Sequence, residues 1–139
     1  MSTEQNKALI HQFVEELIKQ GNLDIIDEIV SPDFVEHEAL PPGIPPNREA
    51  PRAMFGMLLG AFPDLHATIE HLIAEDDKVV AYMTWTGTQE GEFMGIPPTG
   101  KRMSINVMDI FGIAGGQIVD HWGVSDMMTM MQQLGLMPE

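Results

Sequence analysis

Asp109 stands inside the apolar run 105–113, where a carboxylate is costly to bury without a partner. Desolvation raises the pKa of such a group and lets it donate or shuttle a proton near neutrality. His121 falls on what reads as the neighbouring strand, and an aspartate–histidine pair in an apolar enclosure is a workable acid/base couple. The intervening turn decides whether they meet. A two-residue turn within 113–118 puts Trp122 on the face of Asp109, whereas a three-residue turn with a bulge at Gly116 puts His121 there. His37 precedes a proline-rich loop, from which it either reaches a pocket mouth or faces water. Asp126 precedes the last helix, as a further acid or as the oxygen that an N-cap needs. His11, His66 and His71 show no metal-ligand spacing: H-E-x-x-H is absent, and strict alternation sends residues 66 and 71 to opposite faces. No metal is expected.

The elements that must position these residues come in two halves. Residues 2–20 read as an amphipathic helix, opened by a Ser2/Gln5 capping box and ended by Gly21. Asn22 can cap a second, short helix, which Ser31-Pro32-Asp33 breaks before a short strand over 34–37. Four prolines in 39–47 dictate a loop, and a third helix from about residue 50 to Pro63 offers Met54 and Leu58 for packing. The hydrophobic period then changes from 3.6 to 2. Strands are expected at 65–74, 79–88, 102–113 and 117–124, followed by a short methionine-rich helix ending near Gly135. Helices early and an antiparallel meander late make an α+β fold in one domain spanning 1–139. Strand 79–85 is apolar on both faces, so the face turned away from the interior needs cover, most simply from a second copy of the chain: a homodimer.

Composition removes several function classes. Seven Lys plus Arg against 21 Asp plus Glu give a net charge of −14, which repels phosphate backbones and anionic lipid, so neither nucleic acid nor membrane is an expected partner. There is no cysteine, hence no disulfide framework, thiolate metal site or cysteine nucleophile. No apolar run reaches membrane-spanning length and the N-terminus lacks a signal-peptide pattern, so a cytoplasmic location is expected.

The segment Gly-Glu-Phe-Met-Gly-Ile-Pro-Pro-Thr-Gly-Lys-Arg-Met (91–103), with Ile118-Val119-Asp120-His121-Trp122 and Gln133-Leu134-Gly135, closely resembles the SnoaL-like polyketide cyclases. These belong to the nuclear transport factor 2-like superfamily, with ketosteroid isomerase and limonene epoxide hydrolase. The resemblance implies a strongly curved antiparallel sheet forming a cone-shaped barrel, closed by the N-terminal helices. It also implies cofactor-free chemistry, in which one Asp acts as general acid/base for an intramolecular aldol closure of a polyketide ester. That position falls on Gly123, and the cyclases' nearby pocket histidine falls on Asp109. Ketosteroid isomerase offers a second mapping: its strand with an oxyanion-donating neutral Asp resembles 107–111, its general base falls roughly at His37, and its oxyanion tyrosine falls on Phe13. Epoxide-hydrolase chemistry needs an arginine between carboxylates inside the cone, and Arg48, Arg52 and Arg102 lie off the strands that would hold it.

The expected function is therefore a cofactor-free acid/base enzyme acting on a small hydrophobic carbonyl compound, by aldol cyclisation or double-bond isomerisation. Asp109 is the acid or oxyanion donor, and His37 or His121 the base. Phe13, Met54, Leu58, Tyr82 and Trp85 are expected to contact substrate. The alternative is a non-catalytic module that sequesters a hydrophobic metabolite, suggested by Gly123 at the cyclase Asp position. A strongly raised pKa on an interior carboxylate favours the enzyme, and polar groups all pointing outward favour the binder.

Overall fold

The computed structural model describes residues 2–137. Ser2 Oγ accepts from the Gln5 backbone N–H at 3.1 Å while Gln5 Oε1 accepts from Ser2 N–H at 2.9 Å, so the expected capping box opens helix α1 (Thr3–Gln12). The chain then continues as a π-helical segment, Phe13–Lys19, that buries Phe13, Val14, Leu17 and Ile18. The helix expected over 2–20 thus widens its winding halfway along, and Gly21 ends it at φ +69°. Asn22 Oδ1 accepts from Asp24 N–H and starts a 3₁₀ turn, Leu23–Ile25, that leads into α2 (Ile26–Ile29). Strand β1 (Val30–Glu36) follows at once and runs through Pro32, where a break was expected. Proline is tolerated because β1 is an edge strand whose ladder is interrupted between Val30 and Val35. The loop over 39–47 leads to α3 (Glu49–Ala61), then β2 (His66–Glu75), β3 (Lys78–Thr88), β4 (Arg102–Ala114), β5 (Gln117–Ser125) and α4 (Met127–Gln133).

The fold is α+β, as the sequence implies. Strands β2 to β5 form an antiparallel meander, and β1 adds beside β5 in parallel, giving the order β1-β5-β4-β3-β2. The five-stranded sheet is curved but not closed into a barrel. Its inner face carries Val79, Ala81, Met83 and Trp85 of β3 and Met103, Ile105, Val107 and Phe111 of β4, packed beneath Ile10, Phe13, Phe55 and Leu58. Asp109 interrupts that apolar series and is buried with it.

Two bulges decide which polar residues share a face. Gly115 and Gly116, at φ +58° and +78°, make a two-residue hairpin turn, with Ala114 opposite Gln117. The register then shifts by one residue near Val119, so Phe111 faces His121 and Asp109 faces Gly123. His121 therefore joins the face of Asp109 through a bulge inside β5 rather than one at Gly116. In β2 a bulge at Glu70 places His66 opposite Thr86 and His71 opposite Tyr82, so both histidines lie on the outer face, against the expectation from strict alternation. The connection after β3 is held by Gln89. Its fully buried carboxamide donates to the carbonyls of Gly91, Ile96 and Pro97 and accepts from Thr99 N–H and Oγ1, aiming Phe93 at the interior.

Candidate active site

The open end of the sheet, α3, α4 and the loop after β1 enclose a cavity of about 590 Å³. Its wall is mostly apolar: Phe13, Phe34, Met54, Phe55, Leu58, Trp85, Phe93, Ile105, Val107, Met127 and Met130 all reach it. Its titratable lining, among the described residues, consists of Glu36, Glu38, Asp109 and His121, gathered at one end.

Three of these stand on adjacent strands, and Glu38 lies just past the end of β1. Glu36 pairs with His121 in the parallel β1–β5 ladder, and Asp109 stands on β4 beside them. His121 Nε2 is 2.7 Å from Asp109 Oδ1, and Nδ1 is 2.6 Å from Glu36 Oε2. An imidazole with a carboxylate on each nitrogen is most stable as a cation donating both N–H groups. Burial opposes that charge, but the hydrogen bonds to Asp109 and Glu36, together with their charges, push the His121 pKa up to about 10. Burial raises the Asp109 pKa, opposed by the hydrogen bond and charge of His121 and reinforced by the charge of Glu36. Its Oδ2 has no hydrogen-bond partner among the described residues, and the residue forms part of the cavity wall. Glu38 lies just past β1, and its carboxylate accepts no hydrogen bond among the described residues. Burial raises its pKa to about 6, with His121 lowering it and Asp109 and Glu36 adding to the rise.

Glu38, Asp109 and His121 place one ligand-type atom each within 4.8 Å of one another. A metal would need a neutral imidazole with a free lone pair, whereas His121 has both nitrogens committed to carboxylates and binds its proton tightly.

The structure brings Asp109 and His121 together, with Phe13, Met54, Leu58 and Trp85 on the cavity wall. It separates His37, Tyr82 and Asp126 from them. Along β1 successive side chains alternate, and Phe34 and Glu36 take the inner face. His37 is therefore turned outward, 2.8 Å from Asp120 Oδ1 and stacked on Trp122 at 4.4 Å. Tyr82 sits between the inward Ala81 and Met83, on the outer face beside His71. Asp126 is the N-cap of α4, accepting from the Thr129 backbone N–H at 3.1 Å and from its hydroxyl at 2.6 Å. Glu36 and Glu38 were not singled out by the sequence. The available signal was parity: Phe34, a large apolar residue, fixes the inward set of β1, and Glu36 and Glu38 continue it while His37 does not.

The sequence model described as SnoaL-like polyketide cyclase matches residues 8–134. The chain is 30% identical over 117 residues to the nogalonic acid methyl ester cyclase of Streptomyces nogalater, covering 83% of this chain and 87% of that protein. Among solved structures it is similar to TsrD from Streptomyces laurentii, at a TM-score of 0.88, 29% identity and 99% coverage of both chains. AclR from Streptomyces galilaeus gives 0.87 and 30%, covering 99% of this chain and 89% of that one.

Proposed function

This chain belongs to the SnoaL-like polyketide cyclase family, and from that premise we propose that it is a cofactor-free acid/base enzyme acting on a hydrophobic carbonyl compound. The observation that carries this reading is a buried carboxyl group, Asp109, on the wall of an apolar cavity, with one oxygen 2.7 Å from His121 Nε2 and with its pKa raised by burial. The reaction class is enolisation followed by an intramolecular aldol closure, as befits a relative of an ester cyclase, or by a double-bond shift. Asp109 donates from Oδ2 to the substrate carbonyl oxygen, which becomes more basic as charge develops on it. A donor fixed in a dry site is worth more there than in water. His121 and Glu36 hold the acid in place and supply the compensating charge. His121 does not serve as the base, because its proton is bound too tightly to leave an acceptor at neutral pH. The raised pKa of two interior carboxylates supports this reading over the sequestering module.

The test is hydrogen exchange at carbon. Ketosteroids, polyketide esters and simple β-keto compounds are incubated with the protein in D₂O and followed by mass spectrometry. At least one compound should gain deuterium, and Asp109→Asn should lower that rate roughly 10²–10⁴-fold. An undiminished rate in Asp109→Asn would remove Asp109 from the reaction.

We propose in addition that a second copy covers the outer sheet face, where Ile73, Met108, Ile110 and Val124 leave 62%, 42%, 37% and 69% of their surface exposed. Sedimentation at micromolar concentration should give twice the chain mass, and Ile110→Glu should give the single mass. A monomeric wild type would overturn this.

A further inference from the structure

Among the described residues four ionisable groups line the cavity, and three of them are committed to one another. His121 donates one N–H to Asp109 and the other to Glu36, so the imidazole has no lone pair to offer and each of those two carboxyl groups has an oxygen engaged. Glu36 also accepts from the backbone N–H of His37 at 3.1 Å. Glu38 alone among the four has both oxygens free of hydrogen bonds within the described residues, on the cavity wall beside that network.

The backbone opposite makes room for it. A Cβ built on Gly123 would overlap Glu38 Oε1 and lie 2.6 Å from Asp109 Oδ1 and 2.8 Å from His121 Cε1. Gly123 sits directly across the ladder from Asp109, so any side chain there would occupy the ground between the acid and the Glu38 carboxylate. The missing side chain and the free carboxylate fill one space.

We propose that Glu38 is the catalytic base of this site, and that position 123 is glycine so that the Glu38 carboxylate can stand over the Asp109–His121 pair. This rests on the acid/base reading above and supplies the group that reading lacks. The Glu38 carboxylate takes the proton from the carbon next to the substrate carbonyl, and an O–H bond forms as the C–H bond breaks. The freed electron pair moves into the enolate, whose oxygen is held by Asp109 Oδ2–H. In an aldol closure the enolate carbon bonds to a second carbonyl carbon of the same molecule, and the resulting alkoxide takes the proton back from Glu38. In a double-bond shift the proton returns to a different carbon. Either cycle ends with Glu38 ionised and every proton accounted for. The groups facing Glu38 are His121 of β5, Asp109 of β4 and Glu36 of β1, and the balance of burial against their charges leaves it mostly carboxylate at pH 7, with a pKa of about 6. A base poised just below the working pH is the efficient choice.

The experiment compares wild type, Glu38→Gln and Glu38→Asp by deuterium incorporation into the carbonyl panel between pH 4.5 and 8. Wild-type exchange should rise with pH through an inflection near 6. Glu38→Gln should lose roughly 10²–10⁴-fold in turnover and lose the inflection, while binding the same compound within about threefold. Glu38→Asp should retain a rate well above Glu38→Gln, with the inflection displaced. The Gln variant should fold normally, because the carboxylate accepts no hydrogen bond that a carboxamide would forfeit, and its melting temperature checks this. Glu38→Gln exchanging at the wild-type rate with the inflection intact overturns the assignment and leaves the acid/base reading standing. A wild type that exchanges none of the panel overturns both.

Discussion

A histidine is bonded to carboxylates on each side of the β1–β5 ladder. Inside, His121 bonds Asp109 at 2.7 Å and Glu36 at 2.6 Å; outside, His37 bonds Asp120 at 2.8 Å. The residue types and distances are nearly the same, and the surroundings are not. The inner side chains are between 7% and 17% exposed, whereas the outer pair keeps 35% and 32%, with His37 laid flat against Trp122. Water reaches both partners of the outer pair and screens their attraction. The inner groups have only one another: the two carboxyl groups hold the proton on His121, and burial raises the Asp109 pKa. What makes such a pair chemical is thus the second carboxylate and the dry cavity, not the hydrogen bond.

The largest expected effect comes from breaking the inner network. His121→Ala removes the only cationic group of the cluster and leaves Asp109 and Glu36 buried together without compensation. Such unpairing costs about 3–5 kcal/mol. Carbon-acid turnover should fall roughly 10²–10⁴-fold along with it, since Asp109 loses the group that orients it. The pH dependence of wild-type stability should report the same network. His121 binds its proton more tightly folded than unfolded, with a pKa moved from 6.5 to about 10. Its contribution is fully present below pH 6.5 and is lost as pH rises toward 10. The raised acids Asp109 and Glu38 act in the same direction, because each also releases its proton earlier when unfolded. Thermal unfolding should therefore fall between pH 6.5 and 10, and that decline should shrink in His121→Ala. A wild-type melting temperature flat over this range would break the contrast between the two faces.

How much of this was legible beforehand follows from where period-2 reasoning holds. Strands β3 and β4 alternate without interruption, which puts Asp109 in phase with the inward residues 105, 107 and 111, although its place in a pocket leaned on the family resemblance. Periodicity turns Phe13, Met54, Leu58 and Trp85 inward without separating core from cavity wall, and all four reach the cavity. Tyr82 was an error of parity, since residues 81, 83 and 85 already define the inner set of that strand. Bulges at Val119 and Glu70 were not readable, because each inserts one residue without a glycine or proline to mark it and reverses every side chain beyond it. A two-residue turn was expected to bring Trp122 to the face of Asp109; the turn has two residues, but the bulge at Val119 brings His121 there, and the bulge at Glu70 inverts the His66/His71 relation in the same way. Glu36 and Glu38 were overlooked because histidine draws attention as a base. Their roles depend on a parallel β1–β5 pairing that joins residues some 85 apart, which no local pattern encodes.

A smaller effect separates two glycines on the same ladder. A methyl group at Gly123 would press on Glu38, Asp109 and His121 together, and none of the last two can withdraw without losing its hydrogen bond. Gly123→Ala should cost about 1–3 kcal/mol as overpacking and depress turnover by displacing Glu38. At Gly112, three ladder steps away, the nearest atoms to an added Cβ are Asp120 Cβ at 3.0 Å and Oδ2 at 3.1 Å, a milder crowding than at Gly123 and away from the Glu38 carboxylate. Gly112→Ala should cost less and leave turnover within about twofold, read by chemical denaturation and by the exchange assay.

His37→Ala carries the smallest expected effect and the sharpest control. It deletes a histidine that touches the same two strands, bonds a carboxylate at a comparable distance and stacks on an aromatic ring, so on a contact list it looks equivalent to His121. Exposed ion pairs contribute less than about 1 kcal/mol, and some of the stacking area remains covered by Lys78, whose Nζ stands 5.9 Å over the Trp122 ring. Stability should drop by no more than that, and turnover should stay within about twofold of wild type. If instead His37→Ala lowered turnover as far as His121→Ala, proton transfer would have to cross the sheet. The buried network would then be a support for the fold, and the chemistry would belong to the outer face.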